Sequence, residues 1–221
     1  MEKRGIAIFV LVMFMISFAS AEVFFAQQPR DTYSLGEQIG FVIGSDGTEG
    51  WVNVDLKCGG GNTTSSGSMV FFHYLTAEEL SLPVSVPLTK EFLREMGGDC
   101  FFSMVFDAEV KESLPFEISS ELTVGFELNK EIYSPNETVY FTGSVVKKSG
   151  GDVSEGFAEV RFPYNGVESI VVVSDGEFNG NISLQESIPS GEYGLDIFIY
   201  EKDDADAISN FHLLNSSISV L

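Results

Sequence analysis

The sequence predicts an all-β protein: two tandem β-sandwich domains after an N-terminal signal peptide, with one short helix in the first domain. Three observations lead to this prediction. Segment 33–39 recurs in related form at 133–139. Most segments between turns alternate apolar and polar residues, as half-buried strands do. The repeat length of about 100 residues is the size of one β-sandwich domain.

An export signal is predicted for residues 1–21. Residues 2–4 are charged, 6–18 are almost wholly apolar, and Ala-Ser-Ala at 19–21 fits a cleavage site. The apolar run is shorter than the roughly 20 residues that a membrane-spanning helix needs. An uncleaved N-terminal anchor is the alternative. We therefore expect an exported protein, extracellular or cell-surface associated, whose mature chain has no membrane span.

The charge of the chain restricts its partners. It carries 33 acidic and 12 basic residues, a net charge of −21. Because phosphate binding depends on Lys and Arg, nucleic acid is excluded as a partner. The acidity serves solubility or, alternatively, diffuse binding of cations. The expected partner is a protein or a glycan at a cell surface, and the sequence leaves the oligomeric state open.

The first domain is predicted to span 22–120. Its expected strands are 22–27, 38–43, 51–57, 68–74, 82–86, 100–109 and 115–119. The 58–67 loop is rich in Gly, Ser and Thr and is expected to be exposed. A short helix is expected at 90–96, with Thr89 as its N-cap and a glycine after its end.

The chain has two cysteines, Cys58 and Cys100, and both lie in the first domain. In an exported chain they predict one disulfide bond, and two buried free thiols are the alternative. They do not form a Cys-x-x-Cys pair, so a catalytic redox role is not expected.

The second domain is predicted to span 121–221. Its expected strands are 122–128, 137–146, 156–163, 168–173, 176–184, 192–201 and 208–220. Asn165-Gly166 and Asp175-Gly176 are strong hairpin signals because both dipeptides favour tight turns with positive φ.

The second domain resembles a known family. The run 133–139, Asp175-Gly176 and the Ser-Gly-Glu-Tyr of 190–193 together are similar to immunoglobulin-like modules of prokaryotic surface proteins. Among these, the second macroglobulin-type domain opens with Tyr-x-Pro-Gly-Glu-x-Val. The resemblance implies Ig-like sandwiches. Asn136 replaces the usual glycine, and no thioester-type Cys-x-x-Gln motif is present, so covalent capture does not carry over.

Catalytic and metal-binding patterns are few. The two histidines, His73 and His212, lie one in each domain, and the sequence has no Gly-x-Ser-x-Gly elbow and no His-Glu-x-x-His motif, so we expect no enzyme and no organic cofactor. Asp203, Asp204 and Asp206 cluster in a predicted loop and are candidate Ca²⁺ ligands. A solvated acidic turn is the alternative.

Four Asn-x-Ser/Thr sequons are candidate glycosylation sites: Asn62, Asn136, Asn181 and Asn215. These sequons can be glycosylated only if the source organism attaches N-linked glycans to its exported proteins. The aromatic residues Trp51, Phe71, Phe72 and Tyr74 are expected to pack in the core, as most aromatic residues of sandwiches do.

These patterns predict a non-catalytic spacer or adhesion and interaction module at a cell surface. One alternative is a carbohydrate-binding module that uses Trp51 and nearby tyrosines, which requires an exposed aromatic row on one sheet. The other is an adhesin stiffened by calcium at residues 203–206.

Overall fold

A computed structural model describes most of the chain, namely residues 22–59, 66–93, 97–164, 166–202 and 208–221. The predicted signal peptide lies outside these ranges and stays a prediction. The described chain is nearly all β-strand, as the sequence predicts. Within the described ranges, no helix is long and apolar enough to cross a membrane.

The first sandwich is built from the first half of the described chain. Its strands are β1 (Val23–Gln27), β2 (Thr32–Ser34), β3 (Gln38–Ser45), β4 (Gly50–Cys58), β5 (Ser66–Leu75), β6 (Ser81–Pro87), β7 (Gly98–Phe106), β8 (Glu109–Glu112) and β9 (Phe116–Ser119). One sheet has the order β1-β3-β6, and the other has the order β2-β9-β7-β4-β5 with β8 paired to β7. The core lies between them because alternate residues of β3 and β4 point inward and are buried: Ile39, Phe41, Ile43, Val52, Val54 and Leu56.

The predicted disulfide is confirmed. Cys58 and Cys100 are bonded to each other, and they occupy directly opposite positions on the neighbouring strands β4 and β7. Both side chains are buried. The disulfide bond therefore covalently links two neighbouring interior strands of the larger sheet.

The predicted helix begins where the sequence indicates. Helix α1 spans Lys90–Leu93, and the Phe92 N–H donates to Thr89 Oγ1 at 3.2 Å, as an N-cap requires. Leu93 is buried in the first core. The expected extension over 94–96 lies outside the described residues.

The second sandwich repeats this arrangement. Its strands are β10 (Leu122–Leu128), β11 (Ile132–Tyr133), β12 (Thr138–Lys147), β13 (Glu155–Phe162), β14 (Val167–Ser174), β15 (Glu177–Ser183), β16 (Gly191–Lys202) and β17 (Ile208–Val220). Hydrogen bonds connect them in the order β10-β12-β15-β14-β13-β16-β17-β11. The path bends between β14 and β15, which pair only at Ser174 and Glu177 around the predicted Asp175-Gly176 turn.

The repeated motif explains two short strands that the sequence did not predict. Tyr33 in β2 pairs in parallel with β9, and Tyr133 in β11 pairs in parallel with β17. Both tyrosines are fully buried. Gly36 and Asn136 follow with φ of 84° and 65°, so Asn136 occupies the left-handed position that glycine fills in the first copy.

One predicted strand boundary is wrong. The strand expected over 100–109 ends at Phe106 in β7. Asp107 and Ala108 have φ of 46° and 68° and reverse the chain into β8. Apolar and polar residues continue to alternate through this turn, so the sequence pattern did not indicate that the chain reverses.

Candidate functional site

An aromatic surface lies on the outer face of the larger sheet of the first sandwich. Trp51 in β4 and Phe72 in β5 are each 57% exposed, and Tyr74 is also exposed. Trp51 stacks on Phe72, with ring centroids 4.7 Å apart and planes 5° from parallel, and meets Tyr74 edge-on at 5.2 Å. The expectation that these three residues are core was wrong, because the alternation of β4 turns Val52 and Val54 inward instead. Phe71 is half-buried against the core.

A polar group adjoins this aromatic surface. Asn53 is opposite Phe72 in the β4–β5 register. Its Oδ1 is buried and has no hydrogen-bond partner among the described residues. This oxygen is an unsatisfied acceptor within the described chain, but its burial makes it inaccessible to a ligand at the aromatic surface.

A second candidate region is the contact between the two sandwiches, which we call the junction. The tight turn after β2 meets the turn after β12. Ser149 N–H donates to Ser34 Oγ at 3.3 Å, and Ser149 Oγ donates to Glu37 Oε1 at 2.6 Å. Hydrogen bonds between residues 112 and 115 positions apart fix the two turns against each other.

A buried ion pair lies beside these turns. Lys147 Nζ is 2.9 Å from Glu201 Oε1, and the two side chains are only 10% and 8% exposed. Asn210, itself fully buried, donates from Nδ2 to Glu201 Oε2 at 2.5 Å and to the Leu35 carbonyl at 2.9 Å. Since Leu35 belongs to the first sandwich and Asn210 to the second, one amide group connects the ion pair to both.

The connection between the sandwiches has its own contacts. Phe211 N–H donates to the Ser120 carbonyl at 3.0 Å. Lys148 Nζ donates to Glu117 at 2.8 Å and to Glu121 at 3.0 Å, and these charged hydrogen bonds, Glu117 first, raise the pKa of Lys148 above its ordinary value. The polypeptide on both sides of the boundary thus contacts the turn after β12, and Ser120 also contacts β17.

The repeated motif also has repeated electrostatics. Glu37 accepts from the Ser34 N–H and pairs with Arg30, whose guanidinium lies 4.6 Å from the Tyr33 ring centroid. In the second copy, Glu137 accepts from Lys130 and the Ser134 N–H, which hold its pKa below the ordinary glutamate value. The glutamate of the motif therefore closes the turn, and in the first copy its other oxygen also contacts the junction.

The predicted site residues are placed as follows. The sequons at Asn136, Asn181 and Asn215 are exposed, and their glycosylation stays a prediction. Asn62, Asp203, Asp204 and Asp206 lie outside the described residues, so the calcium hypothesis is untested. Within the described residues, no group of three or more His, Cys, Asp or Glu is arranged to hold a metal ion.

The histidines do not assemble a catalytic group in the described chain. His73 Nε2 pairs with Glu79 at 3.1 Å at the surface of the first sandwich, and His212 lies on β17 of the second. An open groove of about 880 Å³ is lined by Glu127, Glu131 and Glu192 with serines of β17. The groove belongs to the second sandwich and contains none of the junction residues.

Comparison with known proteins gives similar structures but no matching sequence family. No protein-family model matches the chain, and the comparison with curated proteins finds no match. Similar structures include those of bacterial α2-macroglobulins. Trypsin-activated α2-macroglobulin from Escherichia coli is 13% identical with a TM-score of 0.33, over 91% of this chain and 15% of that one.

The native conformation of the same E. coli protein is 9% identical with a TM-score of 0.36, over 90% of this chain and 17% of that one. Its elastase-activated form is 10% identical with a TM-score of 0.36, over 93% of this chain and 22% of that one. The chain thus spans about a fifth or less of the length of the structures it matches. The likeness agrees with the resemblance to macroglobulin-type modules that the sequence indicates.

Proposed function

We propose that the chain is an exported, non-catalytic spacer and interaction module at a cell surface, in which two Ig-like sandwiches are held in one fixed orientation. The junction supports this proposal. Domains joined only by a flexible linker keep no fixed orientation, whereas here side chains of Ser149, Asn210 and Lys148 contact the first sandwich.

Because polar groups of the junction are buried, its hydrogen bonds favour one orientation of the two sandwiches. A buried polar group that loses its partner is costly, because it has already lost its contacts with water. Rotating the sandwiches apart would separate Asn210 from the Leu35 carbonyl and Ser149 from Glu37. The fixed orientation holds the exposed loops and sheet faces at a set distance and angle for a protein or glycan partner.

Residual dipolar couplings test the fixed orientation. In the unaltered chain, we expect amides of both sandwiches to fit one common alignment tensor. A Ser149→Ala and Asn210→Ala double variant removes the Ser149–Glu37 and Asn210–Leu35 hydrogen bonds between the sandwiches. We expect its two tensors to diverge while each sandwich stays folded. Ser217→Ala, at an exposed serine of β17, is the control and should keep one tensor. Two different tensors in the unaltered chain would contradict the proposal.

The aromatic surface favours a second function, carbohydrate binding. Sugar rings stack on exposed aromatic faces. The exposure of Trp51 is the observation in favour. Because Phe72 covers one face of the Trp51 ring, only its other face is open to stacking.

Titration with neutral oligosaccharides tests this second function. Trp51 is the only tryptophan in the chain, so its fluorescence reports binding directly. We expect saturable changes that Trp51→Ala abolishes in calorimetry, whereas Phe24→Ala, an exposed aromatic residue on the opposite sheet, retains binding. Unchanged fluorescence across neutral hexose, pentose and N-acetylhexosamine oligomers would exclude it.

A further inference from the structure

An exposed apolar surface covers the second sandwich. On the sheet β14-β13-β16-β17, every second residue points outward, and two rows of these residues run across the four strands. One row is Val172, Phe157, Tyr200 and Phe211, and the other is Ile170, Glu159, Phe198 and Leu213. We call these eight residues the outer face.

The outer face is exposed to solvent although most of its side chains are apolar. Val172, Ile170, Phe211 and Leu213 are between 51% and 63% exposed. Its one charged residue, Glu159, is paired with Arg161, and its side chain is only 12% exposed. A contiguous apolar surface of this kind on a strongly acidic chain is characteristic of a binding site.

Charges of alternating sign stand at the ends of β13 and β16, the two middle strands of the outer face. On β13, Glu155 precedes the apolar rows and Arg161 follows them. On the neighbouring strand β16, Asp196 lies beside Arg161, and Lys202 lies beside Glu155 because Gly156 pairs with Glu201. Acids therefore occupy one diagonal and bases the other, and all four residues are exposed.

This pattern is complementary to itself. Two copies that meet face to face must be related by a two-fold axis in the plane between them. With the axis along the strands, Arg161 faces Asp196 of the other copy and Glu155 faces its Lys202. With the axis across the strands, Arg161 faces Glu155 and Lys202 faces Asp196. Either arrangement places opposite charges together around a shared apolar centre.

We propose that the outer face binds a second copy of this chain, so that the protein forms a two-fold dimer through its second sandwich. The equivalent face of the first sandwich does not have this pattern, because β4 carries Asp55 and Lys57 together while β7 places Ser103 and Phe101 beside them. In the dimer the apolar rows of both copies leave water, as in packed β-sheets.

Sedimentation velocity of the full chain tests the proposal. We expect monomer and dimer to exchange between about 1 µM and about 1 mM at near-physiological salt, where charges beyond about 8 Å are screened. Leu213→Glu should weaken the dimer at least about 30-fold, because it buries an unpaired charge. Ile170→Glu should have the same effect. The matched control is Leu114→Glu, at an equally exposed leucine of the first sandwich, and it should leave the dimer unchanged.

A charge exchange adds a second readout. Arg161→Glu should weaken the dimer, and adding either Asp196→Arg or Glu155→Arg should restore it, according to which axis the dimer uses. A chain that stays monomeric throughout would overturn the proposal. So would a dimer that survives Leu213→Glu and Ile170→Glu, one that Trp51→Ala abolishes, or one that neither exchange restores in variants whose melting shows that they fold.

Discussion

Removing the disulfide should lower the stability of the first sandwich by about 4 kcal/mol. The Cys58–Cys100 bond closes a 42-residue separation, and constraining a loop of that length in the unfolded chain accounts for about this much in the chain-entropy model. The double variant Cys58→Ala and Cys100→Ala is suitable because both positions are buried, and alanine leaves no polar group unsatisfied. Denaturant unfolding followed by Trp51 fluorescence measures the effect, since Trp51 lies on the same strand as Cys58.

Two controls limit this result to the first sandwich. Mild reduction of the unaltered chain should give the same shift as the double variant. Unfolding of the second sandwich, followed by hydrogen exchange of β13 and β16, should not change, because the chain has no other cysteine. A loss below about 1 kcal/mol would mean that the 42-residue segment is already restricted in the unfolded state.

Lys147→Met should destabilise the second sandwich by about 3–5 kcal/mol. The substitution leaves the Glu201 carboxylate buried without the ammonium group 2.9 Å away, and a buried charge that loses its partner costs about this much. Replacing both members, Lys147→Met with Glu201→Leu, should recover most of the loss, because an apolar pair avoids the cost of desolvating charges.

The neighbouring residue provides a matched control. Lys148 makes two ion pairs, but its side chain is 39% exposed. Surface ion pairs contribute about 1 kcal/mol or less, so Lys148→Met should have a small effect. Urea unfolding followed by circular dichroism compares the two variants. Equal losses for Lys147→Met and Lys148→Met would contradict the view that burial distinguishes the two lysines.

Sequence patterns were sufficient where structure depends on neighbours along the chain. The alternation of Val52, Val54 and Leu56 with polar residues predicted a strand. Thr89 predicted the start of the helix, and Asp175-Gly176 predicted a hairpin. These features follow from local backbone geometry and from the two-residue period of strands, both of which depend on residues close together in the sequence.

Other features could not be read from the sequence. The strands β2 and β11 are only three and two residues long, and each exists because a distant strand lies parallel to it. Their buried tyrosines were visible as a repeat, but a run this short has no periodicity. The core assignment of Trp51 and Phe72 failed because alternation separates two sides of a strand without showing which side another layer covers.

The sequence by itself determined two all-β repeats, the positions of most strands and the pairing of two cysteines, because these depend on periodicity, turn residues and the small number of cysteines. Only the tertiary structure decided the junction, where Asn210 meets Leu35 across 175 residues, and the outer face, whose four charges come from two neighbouring strands. Burial and charge complementarity arise from which surfaces meet in space, and contacts at such separations leave no local pattern along the chain.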